Sequence, residues 1–112
     1  MNKAVLLLSL ALGGVVGPST ALAVDGLALA RSNVCMGCHK VDGRMVGPPL
    51  RDVAARYAQA GDREATAQYL ARAIREGGRG RWGAIPMPAQ PQVDAREARQ
   101  LAEWILSLDP ES

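Results

Sequence analysis

The stretch Cys35-Met36-Gly37-Cys38-His39 constrains this chain more than any other. Two thiols three positions apart, with an imidazole directly behind the second, form the pattern for covalent attachment of haem. Each element has a chemical task. The cysteines bond to the two vinyl groups along one edge of the porphyrin, and the next residue presents its imidazole to the iron from one face of the ring. Everything else in the chain can then be read as wall, lid or address label of that cofactor. Three other readings compete. A Cys35–Cys38 disulfide is possible, since these are the only cysteines, but so short a loop gains little chain-entropy stabilisation. A thioredoxin-like redox pair calls for a surrounding βαβ pattern, and no stretch here alternates like a strand. A closed zinc site takes four ligands, whereas Cys35, Cys38 and the single histidine, His39, supply three.

The start of the chain reads as an address. Lys3 leads into the apolar run Ala4 to Val16, Gly17-Pro18 breaks it, and Ala21-Leu22-Ala23 offers small residues for cleavage. Residues 1–23 are therefore expected to be a secretory signal peptide, with the mature domain at 24–112. As a membrane anchor the run falls short of the roughly 20 residues a spanning helix needs, so no span is expected in the mature form. A domain of that size often needs a staple or a cofactor. This one has no Phe, two Trp and two Tyr, and a porphyrin would supply the missing apolar mass. With 13 basic and 11 acidic residues, the net charge does not suggest a nucleic-acid binder. Lys40, Arg44, Arg51, Arg72, Arg75, Arg79 and Arg81 flank the motif and the segment expected to face it. Such a ring of cations would steer acidic partners, unless it is only a solvated surface.

The periodicity is helical throughout. Asp25 is a plausible N-cap for a first helix in which Leu27, Ala30 and Val34 share a face, with Asn33 near its end. Lys40 to Pro49 reads as an ordered loop, in which a proline carbonyl could accept from the ligating imidazole, or in which Pro48 and Pro49 simply start the next helix. A short helix follows from about Pro49 to Tyr57, with Leu50, Val53, Ala54 and Tyr57 inward. A third runs from about Arg63 to Glu76 on the stripe Thr66, Leu70, Ala73 and Ile74, stopped by Gly77-Gly78. In the last, Asp94-Ala95-Arg96-Glu97 resembles a capping box. Ala98, Leu101, Ala102, Ile105 and Leu108 form its apolar stripe, Trp104 lies beside that stripe, and Asp109-Pro110 ends it.

Between the third and last helices, Gly77 to Gln92 is a long Gly- and Pro-rich loop, and loops of that length in small domains are usually functional. It holds Trp82 and, between two prolines, Met87. The prolines restrict the backbone and reduce the entropy lost in fixing a side chain at a metal. Met87 is thus the candidate for the second axial ligand, against the plainer reading of an adaptable core filler. A bis-histidine site is excluded by the histidine count. Met36 lies inside the attachment turn and Met45 in the loop after His39, neither well placed for the opposite haem face. Trp82 is either a core aromatic or an indole donor to a haem propionate.

With these residues in view, the sequence resembles class I c-type cytochromes, and within them the small bacterial cytochrome c-551 group. The resemblance runs through Cys35 to His39, Met45-Val46-Gly47-Pro48, Asp52-Val53-Ala54-Ala55, Trp82-Gly83, Ile85-Pro86-Met87-Pro88 and Leu101 to Ser107. It implies an all-α, small cytochrome c fold of about four helices packed around one haem c attached through Cys35 and Cys38. It further implies His39 as proximal and Met87 as distal iron ligand, Pro48 as the carbonyl accepting from His39, and Trp82 as a propionate donor. Two positions depart: Ala73, with Arg72 beside it, stands where relatives carry an arginine near the propionates, and Gln90 stands where they carry an asparagine near the methionine ligand.

The function expected is that of a periplasmic one-electron carrier, monomeric, exchanging electrons with redox proteins through acidic docking surfaces on the partner. Two alternatives stand beside it. One is a dedicated electron-transfer subunit of a larger oxidoreductase, with the arginine ring as its contact surface. The other is a haem enzyme or gas sensor with an open iron, for which the Gln90 departure is the only support.

Overall fold

Aspartates open three of the four helices found among the described residues, which in this computed structural model are 12–14 and 25–108. Asp25 caps α1 (Gly26–Ser32), its carboxylate accepting from the Ala28 amide at 3.0 Å. Asp62 caps α3 (Arg63–Glu76) through Ala65 at 3.0 Å, and Asp94 caps α4 (Ala95–Ser107) through Glu97 at 2.8 Å. Each bond satisfies an amide that has no partner within its own helix. α2 (Leu50–Tyr57) has no such side chain and starts behind Pro49, whose φ of −56° suits a helix entry. An Asp94→Ala variant should lose about 1 kcal/mol, read as a lower urea midpoint with an unchanged slope. An unmoved midpoint would mean that the cap contributes nothing.

α4 is the element on which the others converge, with α3, α1 and α2 all packed against it. Ala98, Leu101, Ala102 and Ile105 are buried along its apolar stripe, facing Ala30 of α1, Leu50 and Val53 of α2, and Ala67, Leu70 and Ile74 of α3. A fully buried aliphatic side chain of this kind contributes roughly 1.5–3 kcal/mol. The small residues set how closely the helices approach. A Cβ at Gly26 would stand 1.9 Å from Cγ of Trp104, so α1 can cross α4 only with hydrogen at that position. Among the described residues there is no sheet, only an isolated antiparallel bridge between Gly78 and Met87.

The helical expectations hold, with local corrections. α1 ends at Ser32, and Asn33 caps it from a buried position, its amide side chain donating to Leu29 O at 3.1 Å and to Glu97 Oε2 at 3.2 Å. Val34 therefore does not continue the inward face of α1: it takes a left-handed conformation (φ 62°) and is 74% exposed, because the chain must turn there into Cys35. Glu97 is drawn to Asn33, and the Asp94 half of the capping box is the bond that forms. In α3 the buried stripe is Ala67, Leu70 and Ile74; Thr66 instead bonds back to Asp62 O at 2.8 Å. A short 3-10 turn, Cys35–Gly37, which periodicity could not reveal, carries the first cysteine. All but residues 12–14 of the expected signal peptide at 1–23, and the Asp109-Pro110 stop, lie outside the described residues. No helix among the described residues is long and apolar enough to cross a membrane.

Candidate haem site

The 3-10 turn and the loop after it place His39 by backbone bonds on both sides. The His39 amide donates to Cys35 O at 3.0 Å, Gly47 N to Cys38 O at 2.8 Å, and Leu50 N to Lys40 O at 2.8 Å. The ring is then oriented by its own hydrogen bond: Nδ1–H donates to the carbonyl oxygen of Pro48 at 2.8 Å. A carbonyl can only accept, so the proton sits on Nδ1 and the lone pair of Nε2 is left for a metal. The backbone at Gly47 lies against the ring, where a Cβ would come within 2.5 Å of Cε1 and 2.8 Å of Nδ1. A side chain there would push the imidazole off its carbonyl.

His39 borders a deep, predominantly apolar cavity. Its walls are Cys38, Val46 and Pro48 on one side, and Leu50, Val53 and Tyr57 of α2 with Tyr69, Leu70, Ala73 and Ile74 of α3 on the next. The loop residues 78–82 and 85–88, Met87 among them, complete it. An adjoining cavity shares Cys38, His39, Leu50, Ile74, Met87, Pro88 and Ile105, and adds Cys35, Val34, Trp104 and Gln90. Both cysteines, the histidine and the methionine thus border one continuous apolar space. This combination suits a haem: two thiols at one edge, a nitrogen donor fixed in one tautomer, a thioether donor, and walls without carboxylates. Cys35 and Cys38 carry free thiols. Burial pushes the Cys35 thiol above its ordinary pKa, against a smaller lowering by a backbone hydrogen bond. Among the described residues no three of His, Cys, Asp and Glu converge where they could hold a metal ion.

The Met87 segment is bound to the helices at several points. Gly78 and Met87 exchange hydrogen bonds, Gly78 N to Met87 O at 3.0 Å and Met87 N to Gly78 O at 2.8 Å. Gln90 N donates to Ile74 O at 3.2 Å. The Gln90 side chain donates to Pro88 O at 3.1 Å and accepts from Gln92 at 2.8 Å, while Gln92 also donates to Asn33 O at 3.2 Å. Gln90 therefore ties the loop to itself and, through Gln92, to the end of α1. Trp82 is half-buried in the cavity wall, with the Arg56 guanidinium 3.3 Å from its ring centroid. No spacing in the sequence pairs residues 56 and 82, and that partner was missed.

The cation ring expected from sequence divides into separate groups. Arg79 and Arg81 border the cavity, Arg81 above the Tyr69 ring at 5.1 Å. Arg72 and Arg75 lie on another face of α3, lining a polar concavity with Gln68, Glu76 and Arg99. Arg72 consequently does not replace the arginine missing at Ala73, which itself lines the haem cavity. Arg51 is held by Asp42 at 2.6 Å, a contact that keeps the Asp42 carboxyl below the usual carboxylate range. Burial and the neighbouring Tyr69 push the Tyr57 phenol above its ordinary value, so Tyr57 faces the cavity as a neutral group.

Four helices enclosing an apolar slot, with a two-cysteine, one-histidine attachment turn on its edge, define a c-type haem-binding protein. The cytochrome c family model matches residues 23–109, and the chain belongs to that family. It is 50% identical over 106 residues to cytochrome c-551 of Stutzerimonas stutzeri, covering 95% of this chain and 98% of that protein. Cytochrome c-552 of Nitrosomonas europaea is 45% identical over 95 residues, covering 80% of this chain and 89% of that one. The crystal structure of wild-type Nitrosomonas europaea cytochrome c552 superposes with a TM-score of 0.69 at 46% identity, covering 74% of this chain and 99% of the other. The chain is thus a small cytochrome c, an electron carrier rather than an enzyme, whose haem c is attached through Cys35 and Cys38.

Proposed function

We propose that this cytochrome is a periplasmic one-electron carrier with His39 and Met87 as axial ligands, acting as a monomer on redox proteins with acidic surfaces. The observation that carries the ligand assignment is that His39, with its proton committed to Pro48, and Met87 border the same cavity as both cysteines. Haem c supplies a one-electron change between ferric and ferrous iron, and a soft thioether favours the ferrous state. The chain's contribution is to limit rearrangement when the charge changes. Pro48 holds the imidazole, the Gly78–Met87 bridge holds the thioether-bearing backbone, and the apolar walls exclude water. Trp82 is assigned as a propionate donor on its place in the wall. Export rests on residues 1–23, whose charged start, apolar run and small-residue site make a signal peptide. Docking rests on the exposed Lys40 and Arg44 and on Arg79 and Arg81 beside the cavity.

The test is the visible spectrum of the exported, haem-loaded protein in both oxidation states, with and without carbon monoxide. A methionine-to-ferric-iron charge-transfer band, and a ferrous spectrum that carbon monoxide leaves unchanged, are the expected result. Loss of both features would mean an open sixth position and would overturn Met87 as the axial ligand.

A further inference from the structure

Met87 sits in a segment with almost no regular structure of its own. Its backbone closes at one point, the Gly78–Met87 bridge, and the residues 79–86 between form a lobe whose tip that bridge does not restrain. The restraint comes from outside. Arg56, exposed on α2, donates through Nη1 to the carbonyl oxygen of Arg81 at 2.6 Å and lays its guanidinium over the Trp82 ring at 3.3 Å. Arg44 adds a long contact, Nη2 to Trp82 O at 3.4 Å. Arg56 is not itself part of the cavity wall, so what it does to the site it must do through the lobe.

We propose that Arg56 is a positioning residue for the sixth iron ligand: it clamps the lobe 79–86 onto α2 and so sets how often Met87 leaves the iron. This rests on the His39/Met87 ligation proposed above. The residue type matters, because only a planar guanidinium can stack on an indole and donate along its edge in one pose; an ammonium keeps the charge and a donor but loses the plane. An outside ligand that must wait for Met87 to leave binds with an affinity reduced by the fraction of open molecules. Its apparent dissociation constant therefore reports the clamp directly.

The experiment is an imidazole titration of the exported, haem-loaded ferric protein at pH 8, following the methionine–iron band, with urea unfolding alongside. Losing a stacked cation and a charged donor together should raise the open fraction about tenfold. Arg56→Leu should then bind imidazole about tenfold more tightly, with Arg56→Lys between it and the parent. Leucine matches arginine in helix propensity, so α2 is kept, and the lysine variant preserves the measurement if the leucine variant takes up haem poorly. Urea stability falls in either case, because the unfolded chain also lacks the clamp; a role confined to α2 would lower it without moving the imidazole affinity. In a Met87→Ala background the Arg56 substitution should change nothing. An Arg56→Leu affinity within about twofold of the parent, or a full-sized effect persisting without Met87, would overturn the proposal. A parent protein lacking the methionine–iron band would overturn the ligation reading first.

Discussion

Replacing Met87 by alanine should lower the reduction potential by on the order of 0.2 V, about a quarter of the span that axial ligands command, and should make the ferrous protein bind carbon monoxide. The physical basis is the preference of a soft thioether for the electron-rich ferrous state. Without it the ferric state gains relative stability, and the sixth position is left to water or a gas. Among the described residues no other methionine is placed to take over. Met36 packs against the core from the attachment turn, and Met45 is exposed in the loop after His39; neither borders the cavity. His39 is the only histidine, so no second imidazole can replace the thioether. The variant should still fold, because Met87 is absent from the buried core that α4 organises, and the hydrogen bonds tying 78 to 87 use backbone atoms that alanine retains. Potentiometry and a carbon monoxide difference spectrum test this together. A variant that kept the parent potential and ignored carbon monoxide would show that Met87 is not the ligand.

The parts of this molecule that were legible in its sequence are those that local chemistry specifies. An aspartate before an apolar stripe marks a helix start because its carboxylate can reach an orphan amide three residues on, and Asp25 and Asp94, the two expected caps, make that bond; Asp62 makes it as well, a cap not singled out from the sequence. The stripe of α4 repeats with helical period because one face must meet the other helices, and four of its five predicted positions are buried. Cys35, Cys38, His39 and Met87 were singled out by the attachment motif and by the setting of Met87 between two prolines, and the fold brings all four to one space. Contacts across the chain were not legible. Arg56 meets Trp82 only after α2 and the 77–92 segment are docked. The turn at Val34 is imposed by where Cys35 must go, overriding a periodicity that would have carried α1 further. The division of the arginines was within reach and was overlooked. On α3, Gln68, Arg72 and Arg75 recur at i, i+4 and i+7 and share the polar concavity, whereas Tyr69 and Ala73, at i and i+4 one position further round, lie on the cavity side.

Changing Gly77 to alanine should destabilise the protein by about 3 kcal/mol, the sum of a backbone and a packing cost. Gly77 ends α3 at φ 72° and ψ −170°, a region open in practice only to glycine. It reaches that conformation while keeping its own amide on Ala73 O at 2.8 Å, so the end of α3 and the sharp exit from it depend on one residue. Space is the second obstacle. A Cβ at Gly77 would stand 2.5 Å from the carbonyl oxygen of Met87, 2.7 Å from the amide nitrogen of Ala89 and 2.9 Å from the carbonyl carbon of Pro88. All three are backbone atoms and cannot rotate away, so the ligand segment would have to lift from the end of α3. For a domain of this size each kcal/mol moves the melting temperature by roughly 4–8 °C, so a fall on the order of 15 °C is expected, with a weaker methionine–iron band already visible at room temperature. The two readouts separate the causes. Backbone strain alone would lower the melting temperature and leave the band intact, whereas displacement of residues 87–89 must weaken both. A variant that melts within a few degrees of the parent with its band unchanged would mean that the segment relaxes freely, and that the close approach at Gly77 does not hold Met87 in place.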